Sequence, residues 1–298
     1  MIPSMSVITP SFNQGRFIER TIQSVLSQDI SGLEYVVVDG GSTDDTVSIL
    51  RRYEDRLTWV SERDRGHSDA INKGIRMTLA PVVGWLNSDD VYYLGALRTV
   101  LACFDLRPEV QVFYGDAYHI DENDAIVEHY PTEEWNWERL QQVCFISQPA
   151  TFLRRQVFDQ YGQLDVSLRQ SMDYEYWLRL GKNGVCFAHI PQILAATRLH
   201  KDAFTVAARV ACHKAINDLT RRHLNKTPDR WIFNYAHAVV ESKGFQRNDP
   251  FRFAIAVSLV SLYASLKWNR AISRGVLQTT TRWIRVSART ALREAFAR

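Results

Sequence analysis

Cysteine is scarce in this sequence, and the few present do not pair. Cys103, Cys144, Cys186 and Cys212 are scattered and show no CxxC spacing. That argues against a disulfide framework and a cysteine-built zinc site, and it leads us to expect buried thiols in a reducing compartment. Met1–Thr9 lacks a basic stretch leading into an apolar core, so no signal peptide is expected. Long hydrophobic runs are missing too: the nearly uncharged Phe253–Leu266 falls short of the roughly 20 residues that an unaided membrane span needs. Acidic residues are nearly absent from positions 251–298, where Glu294 alone faces Arg252, Lys267, Arg270, Arg274, Arg282, Arg285, Arg289, Arg293 and Arg298. The net charge of +3 thus resides in the tail, and the remainder is acidic on balance. What is present is ordinary for a globular chain: 298 residues, 46% hydrophobic and 23% charged. That is enough for a full α/β core and an appendage.

The chain is organised around Val82–Tyr93 (VVGWLNSDDVYY). The apolar start reads as a buried strand, and it runs into Asn87-Ser88-Asp89-Asp90. Two adjacent carboxylates there raise each other's pKa unless a cation sits with them. A divalent ion bridging to a phosphate meets that need, since hard cations favour both kinds of oxygen. A solvated turn near a helix N-cap is the alternative for the pair taken alone.

Strands and helices alternate before this point. Met5–Thr9 reads as a strand ending at Pro10-Ser11-Phe12-Asn13, and apolar residues at helical spacing follow to Gln28. Leu33–Val38 is a second strand, ending on Asp39. Ser42-Thr43-Asp44-Asp45 has the form of a capping box opening the next helix. A third strand near Leu57–Ser61 ends before Asp64, and a helix covers Ser68–Met77. Strands apolar throughout and separated by helices predict a mainly parallel sheet covered on both faces. The polar residues after each strand, Ser11, Asn13, Asp39, Asp64, Asp89 and Asp90, then share one sheet edge, where ligands bind.

Pro10-Ser11-Phe12-Asn13, Val36–Thr46 (VVVDGGSTDDT), Asp69–Gly74 (DAINKG) and Leu86–Asp90 (LNSDD) together resemble the family-2 glycosyltransferases of GT-A fold, in particular the bacterial polysaccharide and O-antigen type. The motifs occur in order over about the first 200 residues. Asn87 stands where the usual DxD signature has Asp. The resemblance implies a GT-A catalytic domain over 1–204, with a nucleotide-sugar half (1–93) and an acceptor half (94–204), and a helical basic region over 205–298. It places the base, usually uracil, on Pro10, Ser11, Asn13 and Asp39, with Asp89 also on the nucleotide. For Asp39 the plain alternative is a turn carboxylate. Asp64 either lines the base pocket or pairs with Arg63 or Arg65. Asp69 reads as a first-turn helix residue.

In the second half, Glu133-Glu134-Trp135-Asn136-Trp137 is an acidic, aromatic loop. Trp135 either stacks on an acceptor sugar or packs on the domain. Ser147–Phe152 is similar to the family segment shaping the acceptor side, with Gln148 as a hydroxyl contact. Ser171–Leu180 (SMDYEYWLRL) reads as a helix with Asp173 in its first turn. The family has Glu-Asp where this chain has Met172-Asp173, and the resemblance makes Asp173 the general base. It also makes His200 a further ligand, so that Mn²⁺ or Mg²⁺ would rest on Asp90 and Asp89 with His200.

The implied activity is inverting transfer from a nucleotide-sugar, UDP-linked by the family's habit, to a hydroxyl of a glycan or lipid-linked acceptor. A metal Lewis acid would stabilise the leaving diphosphate. A nucleotidyltransferase would need a Gly-rich, Lys-containing phosphate loop near the first strand, and none is seen. A non-catalytic sugar-nucleotide or nucleic-acid module is the other class, although no nucleic-acid partner is expected. In the tail, arginines at 282, 285, 289 and 293 repeat at helical spacing. This pattern fits a cytoplasmic protein lying on the inner face of a membrane through 251–298. It fits equally a helical hairpin packed on its own domain, or on a second subunit in a homodimer.

Overall fold

A computed structural model of the chain describes residues 3–200 and 208–296. Two compact units are formed, Met1–Asn136 with Cys144–Ala203, and Trp137–Val143 with Phe204–Arg298. The boundary expected at 204/205 lies outside the described residues.

The first unit begins with β1 (Met5–Ser11), α1 (Ile18–Leu26), β2 (Leu33–Asp39), α2 (Thr46–Arg51), β3 (Thr58–Ser61), α3 (His67–Met77) and β4 (Val82–Trp85). All seven residues of β1 and all four of β4 are buried, as strands covered on both faces require. β1 lies between β2 and β4, with β3 beyond β2, and every pair is parallel. The register sets Ser11 beside Asp39 and Asp39 beside Ser61, so the polar strand ends share one edge. α3 packs closely on β1, because a Cβ at Gly74 would fall 2.4 Å from Ile8 Cγ2. Glycine permits that approach, and this accounts for its place in the DAINKG stretch.

The chain continues through β5 (Val91–Tyr92), α4 (Ala96–Leu106), β6 (Val112–Ile120), β7 (Ile126–His129), β8 (Thr151–Arg154), α6 (Gln156–Tyr161), α7 (Met172–Lys182) and β9 (Phe187–Arg198). The sheet runs β3-β2-β1-β4-β8-β6-β9-β5, with β7 paired to β6. This half mixes directions: β8 is antiparallel to both β4 and β6, and β5 to β9, while β9 runs parallel to β6. The parallel arrangement expected from the alternation thus holds throughout the first half and again between β6 and β9, while β8, β5 and β7 pair antiparallel. A short connection reverses the chain between β6 and β7, whereas the other antiparallel pairs bring together strands distant in sequence.

The expected capping box does not form. Asp45 is the N-cap of α2 and makes no side-chain cap bond. Ser42 donates to Asp39, and Asp44 Oδ1 accepts from the backbone N–H and the hydroxyl of Thr46.

The second unit joins α5 (Trp137–Leu140) to α8 (Arg209–Leu224), α9 (Asp229–Ser242), α10 (Pro250–Asn269) and α11 (Arg274–Phe296). Ile232, Ala264, Trp268 and Val276 form one buried cluster, and Ala236, Val240, Phe253 and Val257 another. Trp268 donates to Asp218, and Trp231 to the carbonyl of Gln141. The apolar run expected to be too short for a span is part of a longer helix. α10 has 20 residues, long and apolar enough by composition to cross a membrane. Val257, Ser258, Ser261, Ala264, Ser265 and Trp268 on it are nevertheless buried among neighbouring helices.

Candidate active site

The edge where β1, β2 and β3 end is tied together by short polar side chains. Asn13, at φ 52°, donates its backbone N–H to Ser42 Oγ, while its Oδ1 accepts from Thr43 N at 2.9 Å. Gly15 N–H donates to Asp44, and Gln14 N–H to Thr46 Oγ1. The two strand-end loops are thereby joined into one rim.

Asp39 lies beneath that rim, wholly buried. Its Oδ2 accepts from Gly41 N, Ser42 N and Ser61 Oγ, and its Oδ1 from Ser42 Oγ at 2.5 Å. Three donors fill Oδ2, so any ligand N–H would have to use the remaining lone pair of Oδ1. Pro10 is buried within β1, and Ser11 Oγ is buried without a hydrogen-bond partner among the described residues. Asp64 does not pair with Arg65, which binds Asp69 instead. Its Oδ1 accepts from Gly66 N, and its Oδ2 would lie 2.9 Å from a Cβ at Gly40. The carboxylate therefore stands against the Asp39-Gly40 turn. Phe12 is near the same glycine and 60% exposed.

The organising stretch separates its two acids. Asp89 keeps part of its side chain open and meets His200, with Oδ2 3.0 Å from Nε2. Asp90 turns inward and is 1% exposed. Its Oδ1 accepts from Arg198 N and its Oδ2 from Asn87 Nδ2, both at 3.0 Å. Burial, then the neighbouring Asp89 charge, pushes its pKa well up. The expectation that Asp90 leads a cation site is therefore not matched by where its carboxylate points. Among the described residues no group of three His, Cys, Asp or Glu is placed to hold a metal ion. Asp89 and His200 still fit one as a pair. A carboxylate and an imidazole suit Mn²⁺, and such ions often take only one or two protein carboxylates while substrate phosphates complete the shell.

Asp173 sits in the first turn of α7, after Ser171 at φ 53°. It is half-buried, and burial raises its pKa. Burial and then the Asp173 charge push up the thiol of Cys144 nearby. Glu175 points elsewhere: it is buried and accepts from Arg179 Nε and Nη2 at 3.2 and 2.9 Å. The first turn of α3 links Asp89 to Asp173. His67 lies beside Asn87 in the field of Asp89, and Ser68 Oγ meets Sδ of Met172, the residue before Asp173. Trp85 at the end of β4 stacks on Trp177 of α7, with centroids 5.6 Å apart.

Gln148 Nε2 donates to the Trp85 carbonyl at 2.7 Å, and its Oε1 is buried without a partner among the described residues. One hydrogen-bonding function of this amide is thus spent on the sheet. Trp135 stacks one face on Phe187 at 4.1 Å, as the packing alternative foresaw.

Sequence reasoning passed over His67 and Arg198. His67 directly follows Gly66 at the start of α3, beside Asn87. Arg198 carried no signal, since a lone arginine before a histidine is commonplace. It also missed His189, whose Nε2 lies 2.8 Å from Asp116 and whose Nδ1 lies 2.9 Å from Glu134.

The chain belongs to a known class of enzymes. The profile described as "Glycosyl transferase family 2" matches residues 6–162, more than half of the chain, so the protein is a member of that family. Its relatives include an uncharacterized glycosyltransferase of Rickettsia prowazekii, 26% identical over 208 residues that cover 66% of this chain and 64% of that one. Chondroitin synthase of Escherichia coli is 28% identical over 203 residues, covering 67% of this chain and 29% of its own. The chain thus spans less than two thirds of either relative. Among solved structures, S. aureus TarS 1–349 in complex with UDP-GlcNAc superposes at a TM-score of 0.62 and 15% identity, covering 98% of this chain and 92% of that one. The mannosyltransferase PcManGT of Pyrobaculum calidifontis, in complex with GDP-Man and Mn²⁺, gives 0.59 at 18% identity, covering 98% and 88%. The fold is that of the GT-A glycosyltransferases.

Proposed function

We propose that this protein is an inverting glycosyltransferase that moves a sugar from a nucleoside-diphosphate donor, UDP-linked, to a hydroxyl of a glycan or lipid-linked acceptor in bacterial surface polysaccharide synthesis. One observation carries the reading: a partly exposed Asp89 paired with a buried His200, and a half-buried Asp173, flank the same first turn of α3. The base and ribose would lie along the rim formed by Ser11, Asn13, Asp39 and Asp64, with the diphosphate toward Asp89. Mn²⁺ or Mg²⁺ held by Asp89 and His200 would supply Lewis-acid stabilisation of the departing diphosphate. Asp173 takes the proton of the attacking hydroxyl, and its raised pKa brings it nearer the range in which a carboxylate is an effective base. A single base on the acceptor side implies one displacement and inversion at the anomeric carbon. The UDP-GlcNAc bound to TarS, and the GDP-Man with Mn²⁺ bound to PcManGT, support the donor class and the metal.

The acceptor's setting is part of the proposal. α10 exposes Leu259, Tyr263 and Leu266 along one stripe, and α11 exposes Leu277, Ile284 and Val286. Arg282, Arg285 and Arg289 are exposed on that same helix. Such a surface suits the face of an anionic membrane, where lipid-linked acceptors reside.

The test is release of UDP or GDP from a panel of sugar nucleotides, with Mn²⁺ and a lipid-linked glycan acceptor. One donor should release its nucleotide well above background, and EDTA should abolish that release. A panel in which no donor is turned over and none binds would overturn the reading.

A further inference from the structure

We propose that Asp90 and Arg198 are positioning residues that hold Asp89 against His200, and that Asp90 does not itself contact the cation. The inference rests on the reading of Asp89 and His200 as the pair that meets the donor's diphosphate through a metal ion.

The two residues are interlocked reciprocally. The Asp90 carboxylate accepts the backbone N–H of Arg198 at 3.0 Å, and Arg198 Nε donates to the backbone carbonyl of Asp89 at 2.8 Å. Asp90 therefore fixes the main chain at Arg198, and Arg198 fixes the peptide that joins Asp89 to Asp90. His200 is two residues beyond Arg198, and Asp89 is one before Asp90, so the interlock sets the separation of Asp89 and His200. Other elements anchor both ends. Asp90 O accepts from Thr21 Oγ1 of α1 at 2.7 Å, and Asp90 Oδ2 from Asn87. The Arg198 side chain is wholly buried, with Nη1 donating to Asp121 O and Nη2 2.5 Å from Asp124 Oδ1. Its guanidinium lies 5.0 Å over the Phe17 ring, whose centroid is 4.9 Å from that of His200. Of its donors, Nε reaches the turn that carries Asp89, while Nη1 and Nη2 anchor the guanidinium at Asp121 and Asp124. Asp90 has both carboxylate oxygens engaged and 1% exposure, so neither is turned to the cleft.

Substitutions separate positioning from ligation. Asp90→Asn keeps an oxygen for the Arg198 N–H, and its new amide donor is met once the Asn87 amide, which now donates Nδ2 to Asp90, turns over to present the Oδ1 that has no partner among the described residues. Asp90→Ala removes the acceptor, and Arg198→Lys keeps the charge but loses the planar fork. The readout is UDP affinity of the full chain by calorimetry, once with Mn²⁺ and once with EDTA, beside a thermal melt. The ratio of the two affinities reports the Asp89–His200 pair, and a merely structural loss would lower both together. Asp90→Asn should leave that ratio within about threefold of wild type, while Asp90→Ala and Arg198→Lys should reduce it about 10- to 100-fold with metal-free binding unchanged. A loss of tenfold or more in Asp90→Asn, with the melt preserved, would instead make Asp90 a ligand and end the proposal. Unchanged ratios in Asp90→Ala and Arg198→Lys would end it as well, and if Asp90→Ala does not fold the lysine variant decides. A wild-type chain that binds UDP without any Mn²⁺ dependence would defeat the reading of the site on which this inference stands.

Discussion

A carboxylate acts as a base only while ionised, and its surroundings decide at what pH that holds. Asp173 is raised by burial, with N–H donors at the start of α7 opposing the rise. Its folded pKa is above the ordinary aspartate value of about 3.9, so the acid limb of the rate should be displaced upward from that value. Transfer should fall as pH drops through this pKa, because the protonated form cannot accept the acceptor's proton. A pH profile of kcat with saturating donor checks the sign: a rate flat from pH 4 to 8, or rising toward acid, would remove Asp173 from the role of base. Asp173→Asn should lower transfer about 10²–10⁴-fold, the usual worth of a positioned base. UDP affinity should persist in that variant. Glu175→Gln should act differently, by loosening the bidentate contact to Arg179 and lowering the melting temperature, since Glu175 is buried within the helix packing.

At the scale of elements, the order of strands and helices to β4 was legible because each carried an unbroken apolar run and a turn signal. The edge that collects Ser11, Asp39 and Asp64 followed from that order. Hydrogen-bond partners were not legible. Ser42 had the spacing of a cap, yet it stands three residues after Asp39 in the turn leaving β2, and that carboxylate takes its hydroxyl. The adjacent acids read as a pair, although neighbouring residues leaving a strand commonly turn to opposite sides, as Asp89 and Asp90 do. Contacts made by distant segments were the least visible: Arg198 and His200 reach the Asp89-Asp90 turn because β5, which follows Asp90 directly, pairs antiparallel with the end of β9. His189 on the same strand holds the acidic loop. Burial lowers its pKa, but hydrogen bonds to Glu134 and Asp116 outweigh this and leave it raised. A histidine with a raised folded pKa adds stability that is complete below the unfolded value of about 6.5 and disappears as pH rises through the folded pKa. The difference in melting temperature between wild type and His189→Asn should therefore be largest near pH 6 and shrink toward pH 9. Trp135, stacked on Phe187, rides on the segment so held. A difference that grows with pH would mean that the ring is neutral and its carboxylate contacts are not an ionic latch.

The whole chain joins an acidic sheet unit to a basic helical one, and the helical unit's surface bears on where the acceptor is met. A 20-residue helix invites the reading of a membrane span, but α10 carries Arg252 and Lys267 and buries Ser258, Ser261 and Ser265 on a helix-packed face. A helix that spends one face on protein has only its other face for lipid. Leu259, Tyr263 and Leu266 lie on that other face, and the exposed arginines of α11 supply attraction to anionic headgroups. On the proposed membrane-surface reading, attachment would be shallow and charge-assisted, with each arginine near the surface worth about 1 kcal/mol, or roughly fivefold in affinity. The full chain should therefore co-sediment with vesicles containing anionic lipid, less with neutral ones, and less as salt is raised past the point where the Debye length is about 8 Å. Arg282→Glu with Arg285→Glu should weaken sedimentation more than tenfold by the same reckoning and leave soluble-acceptor transfer intact. Leu259→Asp with Tyr263→Asp should weaken it without changing the salt dependence. If neither pair alters vesicle binding, and sedimentation equilibrium shows a dimer that the leucine–tyrosine pair dissolves, the stripe belongs to a second copy of the chain.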